Sequence, residues 1–367
     1  MRILIAPDDF KGTLTAAEAA HAIASGWART RPGNALRLRP ISDGGPGFVT
    51  SLAVSLGVEL RVTSTVDAYQ RPIAAHWCRA GDTAYIEAAQ VVGLHLGADV
   101  GRASSRGLAD LLLAARAAGA ATAVVGLGGT CVNDAGAGLF AGLGVTAEDC
   151  AGVAVTLDAG PLGLGRVATI DCAAAVAQLA GLRLIVATDV DVPLLGPRGA
   201  TYGFAQQKGA SESDLASMET ALAEFASACG RRADGRDPAV ALGAGAAGGL
   251  GFALMRLGAE RVPGIDLVLD ASDLDLPAVD LVVTGEGALD WQSMRGKAIS
   301  GIAKRALARG IPVVAIAGRV EISARERSEM GLDAAYSVSE LIGAEAALTD
   351  PANSLAAAAG RVARTWG

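Results

Sequence analysis

Short apolar runs that stop at polar or glycine-rich corners recur along this chain. They are Ile3–Ala6 before Pro7-Asp8-Asp9, Ala123–Leu127 before Gly128-Gly129, Leu184–Ala187 before Thr188-Asp189, and Leu281–Val283 before Thr284-Gly285-Glu286-Gly287. Such runs predict strands buried on both faces, and such corners form where parallel strands deliver loops to one edge of a sheet, a common seat of active sites. Pro312–Ala317 before Gly318 gives a fifth run, with proline suited to a strand start.

Helical patterns alternate with these runs. Thr13 or Thr15 caps a helix beginning near Ala16, with Glu18 completing a capping box and Ala19, Ala20, Ile23 and Trp27 on the apolar face. Ser105–Ala118, Ser213–Cys229, Gly248–Leu257 and Ser300–Arg309 read as further helices. Between residues 60 and 90 the texture changes: Leu60–Thr65 and Thr83–Glu87 alternate like strands of a mixed or antiparallel sheet. At 367 residues the chain exceeds the size of one hydrophobic core. The pattern therefore predicts a two-domain α/β protein: a discontinuous parallel-sheet domain from residues 1–60 and 279–367, with a second α/β domain of mixed sheet, residues 61–278, inserted into it. Arg231–Pro238 reads as a surface loop, and Pro351–Ser354 as a turn before a short terminal helix.

Composition narrows the function. Hydrophobic residues make up 51% of the chain and aromatics only 4%, so packing relies on Ala, Val, Leu and Ile. A net charge of -7 offers no broad basic surface for nucleic acid or an anionic bilayer, which leaves a small molecule as the expected partner. The five cysteines are scattered without a CxxC pair, which argues against a disulfide scaffold or thiolate zinc site and for reduced, mostly buried side chains. No apolar stretch reads as a signal peptide or membrane span, and a cytoplasmic location is expected. His21, His76 and His95 lack ligand spacing, and no G-x-S-x-G elbow is present.

Of the 31 basic residues only four are lysines, and Lys11, Lys208 and Lys297 each touch a glycine. Compact amines beside flexible backbone suit phosphate binding. Asp8, Asp9 and Lys11 on a strand-to-helix turn are able to orient a hydroxyl and a phosphate oxygen together. Asp43, in Ser42-Asp43-Gly44-Gly45, is a candidate for Mg2+ binding or proton removal. In the Gly126–Gly138 turn, Gly128 and Gly129 offer backbone N–H groups to phosphate, with Thr130, Asn133 and Asp134 adding polar groups; the turn lacks the glycine-lysine-serine/threonine end of a P-loop. Asp189 and Asp191 share a side if their strand continues, as a metal or base pair. Lys208 sits in an amide-rich turn, Gly243–Gly251 demands close packing, and Glu286, Asp290, Gln292 and Lys297 combine strand-end acids with a lysine near a helix start.

This ordered set resembles the bacterial type I glycerate kinase family. The similarity runs through Ala6-Pro7-Asp8, Phe10-Lys11-Gly12, Asp43-Gly44-Gly45, Gly126–Gly138 with Asn133-Asp134, Phe204 with Gln207-Lys208-Gly209-Ala210, Gly243–Gly251, and Gly285-Glu286-Gly287 with Asp290, Gln292 and Gly296-Lys297. The resemblance implies a Rossmann-like domain with a second domain inserted, and Mg2+-assisted transfer of the ATP γ-phosphoryl group to the 2-hydroxyl of D-glycerate. In that scheme Lys11 and Lys208 recognise substrate anions, and Asp8 and Asp43 orient the acceptor. Asp189 is the first choice of base, with Asp43 a close competitor. Gly128, Gly129, Asn133 and Asp134 hold ATP phosphates, Glu286 and Asp290 arrange Mg2+, and Lys297 stabilises the transferred charge.

The chain departs from the family pattern at Asp9, Pro46, Phe48, Val192, Ala205 and Ala288. Lost polarity at Pro46, Phe48 and Ala288 is expected to reshape acceptor recognition. A kinase for a larger polyol or cyclitol and a non-catalytic nucleotide-binding homologue stand as alternatives, and a homo-oligomer is left open.

Overall fold

A computed structural model describes residues 1–10, 12–271, 276, 279–291, 293 and 298–367. The chain divides into two compact units, one built from residues 1–43, 50–57 and 265–367, the other from 44–49 and 58–264. Both are α/β, and the second is inserted into the first.

The first unit holds a five-stranded, fully parallel sheet in the order Ala334–Ser337, Val313–Ala317, Leu281–Thr284, Arg2–Ile5, Ala35–Leu38. The chain leaves Arg2–Ile5 to one side for Ala35–Leu38 and later returns to its other side with Leu281–Thr284. That reversal makes the edge between Arg2–Ile5 and Leu281–Thr284 a topological switch point, where strand-end loops diverge and leave a crevice. Ile3, Ile5, Leu281, Val283, Val314 and Ile316 form one core face with the helices Ala16–Thr30 and Pro351–Trp366. The alternate residues Leu4, Val282, Val313 and Ala315 are buried as well, so these strands read as unbroken apolar runs.

Local chemistry sets the helix limits. Thr15 caps Ala16–Thr30, and the reciprocal Glu18 contacts complete the capping box. The predicted turn at Pro351–Ser354 is helical instead: Pro351 opens the helix Pro351–Trp366, where its missing N–H costs nothing and its fixed φ is already helical.

The second unit holds a six-stranded mixed sheet. Glu260–Val262, Arg183–Ala187, Thr122–Gly126 and Thr83–Glu87 run parallel, and Pro72–Ala80 and Leu60–Val66 continue antiparallel. Its core is built largely of Ala, Val and Leu around Phe140, Phe225 and Phe252. Four cysteines are buried and Cys150 is exposed. Among the described residues no helix is long and apolar enough to cross a membrane.

Candidate active site

In the first unit, four neighbouring parallel strands end in loops that are stitched to one another by backbone hydrogen bonds. Ile41 N–H donates to the Pro7 carbonyl at 3.0 Å, Asp8 N–H to Gly285 at 2.8 Å, and Gly318 N–H to Glu286 at 3.0 Å. Thr284 Oγ1 adds a 2.8 Å bond to the Ala6 carbonyl. These bonds fix Asp8, Asp43 and Glu286 on loops at the C-terminal sheet edge.

The carboxylates repel one another. Asp8 is 9% exposed, and its own Oδ1 accepts the Asp9 N–H at 2.8 Å. Burial pushes its pKa well above the usual carboxylate range, and the nearby charges of Asp43, Asp9 and Glu286 raise it further against the opposing Asp9 N–H bond. A cavity of about 610 Å³ opens beside this group, lined by Asp9, Glu286, Asp290 and Arg319 on its polar side and by Phe10 and Leu348 on its apolar side. Ala288 is half-buried in its wall.

In the second unit the glycine-rich turn is occupied by protein. Gly128 donates its N–H to the Gly44 carbonyl at 3.1 Å. A Cβ on Gly128 would stand 2.4 Å from the Gly45 Cα, and one on Gly129 would stand 2.8 Å from the Pro46 ring. These glycines therefore seat the turn that follows Asp43. Asp134 is fully buried, and its carboxylate accepts from Ser105 N and Oγ, both at 2.8 Å, from Gly136 N at 3.0 Å and from Gly138 N at 3.2 Å. Burial still raises its pKa, with these donors opposing. Asn133 Nδ2 donates to Thr201 Oγ1 at 3.2 Å inside the same core. Gly128, through its N–H, and Asp134 bond to the protein itself and shape the loop, whereas the buried Asn133 Oδ1 has no hydrogen-bond partner among the described residues.

Lys208 is 3% exposed and donates to the Val132 carbonyl at 2.7 Å. Burial lowers its pKa to about 8, against the opposing pull of Cys131 and Asp134. Asp189 Oδ1 accepts the Gly264 N–H at 3.1 Å. The strand before it ends at Ala187, so the alternation that would align Asp189 with Asp191 does not extend to them. Lys11, Gln292, Gly296 and Lys297 lie outside the described residues.

The model of the glycerate kinase family matches residues 3–367. The chain belongs to this family. It is 39% identical over 349 residues to a glycerate kinase of Bacillus subtilis (strain 168), covering 92% of this chain and 90% of that protein. It is 37% identical over 353 residues to a glycerate 2-kinase of Escherichia coli (strain K12), covering 94% and 92%. A crystal structure described as glycerate kinase 2 from Salmonella typhimurium LT2 superposes with a TM-score of 0.84 at 33% identity, over 100% of this chain and 98% of that one.

Arg319 and Leu348 carry no linear motif in this family member, because the cavity wall is assembled from separate loops and helices. Glu87 shows in the sequence only as an acid closing the strand Thr83–Glu87, and its burial comes from the fold.

Proposed function

We propose that this chain transfers the γ-phosphoryl group of ATP to the 2-hydroxyl of D-glycerate, giving 2-phosphoglycerate. One observation carries the reading: Asp8, Asp43 and Glu286 gather at the C-terminal edge of a parallel sheet, at its topological switch point. Family membership supplies the reaction class.

The donor chemistry fits Mg2+. The group is all carboxylate oxygen, suited to a hard cation, and a divalent charge would relieve the repulsion that adds to burial in raising Asp8. Among the described residues no three His, Cys, Asp or Glu side chains form a ready metal cage. Mg2+ commonly takes one or two carboxylates and completes its shell with water and phosphate, so Glu286 and Asp290, both on the cavity wall, are the residues we assign to it. When bound, the ion screens phosphate charge as the phosphoryl group moves.

Asp43 is assigned as the base for the acceptor hydroxyl, because it belongs to the carboxylate group, whereas Asp189 caps Gly264. Asp8, held by Gly285 and with ionisation disfavoured, orients the acceptor as a hydrogen-bonding partner. The cavity takes the nucleotide, its base against Phe10 and Leu348 and its phosphates toward Arg319. Lys11 and Lys297 are retained as cations for the acceptor carboxylate and the transferred phosphoryl group. Lys208 sets the 132–134 loop through Val132.

The reading is tested by an Mg-ATP transfer assay across D-glycerate, L-glycerate, larger polyols and cyclitols, with products located by NMR. Efficient phosphorylation of D-glycerate at its 2-hydroxyl is expected. Transfer confined to a polyol or cyclitol would replace the acceptor, and nucleotide binding without transfer to any of them would overturn the catalytic reading.

A further inference from the structure

Glu87 ends a central strand of the second unit's sheet, in register with Gly126, and is 3% exposed. Its Oε2 accepts the Val49 N–H at 3.3 Å, the Gly47 N–H also hydrogen-bonds the carboxylate, and the Phe48 N–H is shared between the carboxylate and the Gly45 carbonyl at 3.1 Å. Those three amides open the helix Phe48–Leu56, whose first turn carries no acid of its own. Glu87 thus supplies from another strand the negative charge that a helix start favours.

The adjoining backbone is held by the next strand end. Gly128 N–H bonds the Gly44 carbonyl at 3.1 Å, and a Cβ on Gly126 would stand 2.6 Å from that same carbonyl oxygen. Two adjacent strand ends therefore clamp Gly44–Val49, Gly126–Gly128 at one end and Glu87 at the other. Asp43 is the residue directly before this clamped segment.

We propose that Glu87 is a positioning residue for phosphoryl transfer: its buried carboxylate anchors the amides of Gly47–Val49 and so fixes the turn that carries Asp43. The inference rests on the reading of Asp43 as the base. A carboxylate is needed because three converging N–H groups in a dry site favour a full negative charge.

Among the described residues no ion pair is made by that carboxylate. Gln90 donates to Glu87 through its side-chain amide while its Oε1 accepts the His76 main-chain N–H at 3.3 Å. Helix Phe48–Leu56 and strand Thr122–Gly126 contain no titratable side chain. Tyr85 on Glu87's own strand and Cys78 on the next are both held protonated by burial, Cys78 up to about 12. His76 and Arg79 are the other titratable side chains on that neighbouring strand. Burial pushes Glu87 up to about 7, against its N–H donors, so the anchor gains its charge as pH rises through neutrality.

The test compares wild type with Glu87→Gln, Glu87→Ala and Asp43→Asn, recording kcat, KM and their pH dependence together with urea unfolding. Glu87→Gln keeps volume and an acceptor oxygen but never ionises. Its kcat is expected to fall about 10- to 100-fold with little change in nucleotide KM; wild type is expected to gain kcat as pH rises through 7, and the variant to lack that rise. A folded Glu87→Gln enzyme with wild-type kcat and the same rise would overturn the proposal, even if Glu87→Ala fails to fold. Retained turnover in Asp43→Asn would instead remove the base reading, and the proposal with it.

Discussion

The Lys208 ammonium lies 2.7 Å from the Val132 carbonyl, and this bond joins the Gln206–Lys208 turn to the glycine-rich loop at the level of Asn133 and Asp134. A buried amine here is costly when charged, as its pKa near 8 records.

That cost has a definite sign. Between the folded value near 8 and the ordinary 10.5, the unfolded chain binds more protons at this position, so the group's contribution to stability rises with pH across that window. Lys208→Met fills the same space without titrating. Urea unfolding from pH 7.5 to 10.5 should show wild type gaining on the variant by on the order of 3 kcal/mol. Parallel curves would mean the amine is already solvated in the folded state.

Gly248 has φ +65°, and a Cβ there would stand 1.9 Å from the Val132 oxygen. The contact leaves no room for a side chain and the left-handed backbone adds strain, so Gly248→Ala should cost about 3–5 kcal/mol in urea unfolding. Ala247, at φ 53°, holds the same left-handed conformation with a Cβ already in place. Ala247→Gly should stabilise by about 0.5–1 kcal/mol, the strain relief exceeding the entropy cost of the glycine.

These two positions also show how much the sequence made legible. The glycine-rich Gly243–Gly251 stretch announces close packing but does not name its partner, because contact with the 132–135 backbone depends on two loops meeting in three dimensions. Strands were legible because burial on both faces leaves unbroken apolar runs, and the Thr15–Glu18 cap because it is local. The carboxylate grouping was legible as residue types, since Asp8 and Glu286 follow apolar runs and Asp43 precedes paired glycines, and the structure brings the three together. Loop packing was less so, since nothing in one dimension pairs Asp134 with Ser105 or Gly128 with Gly44.

Phe48 was expected to reshape acceptor recognition. It is instead fully buried, edge-on to Tyr85 with ring centroids 6.3 Å apart. Phe48→Thr should therefore act through a core cavity, lowering stability by about 3–5 kcal/mol. The ranking of acceptors in the transfer assay is expected to stay unchanged among variants that remain folded. A switch in acceptor preference without loss of stability would place the ring at the substrate.

Asp8 gives the sharpest link between stability and chemistry. Burial, then Asp43, Asp9 and Glu286, raise its pKa in the folded state. Above the unfolded value the denatured chain has released a proton that the native state retains. The group's stability contribution is thus complete below the unfolded pKa and lost as pH rises through the folded one. Asp8→Asn removes this penalty. The variant should resist urea better than wild type at pH 7–8, and the difference should close toward pH 3–4. A cation held by Glu286 and Asp290 relieves the same repulsion. Added Mg2+ should therefore stabilise wild type, by about 2.7 kcal/mol at one hundred times its dissociation constant, while acting less on the protein with Asp8 neutralised only where the two share charge. Turnover of Asp8→Asn should fall about 100-fold through misorientation of the acceptor. An Asp8→Asn protein less stable than wild type at neutral pH would show that the carboxyl is a net structural support, and its role as a strained active-site group would be lost.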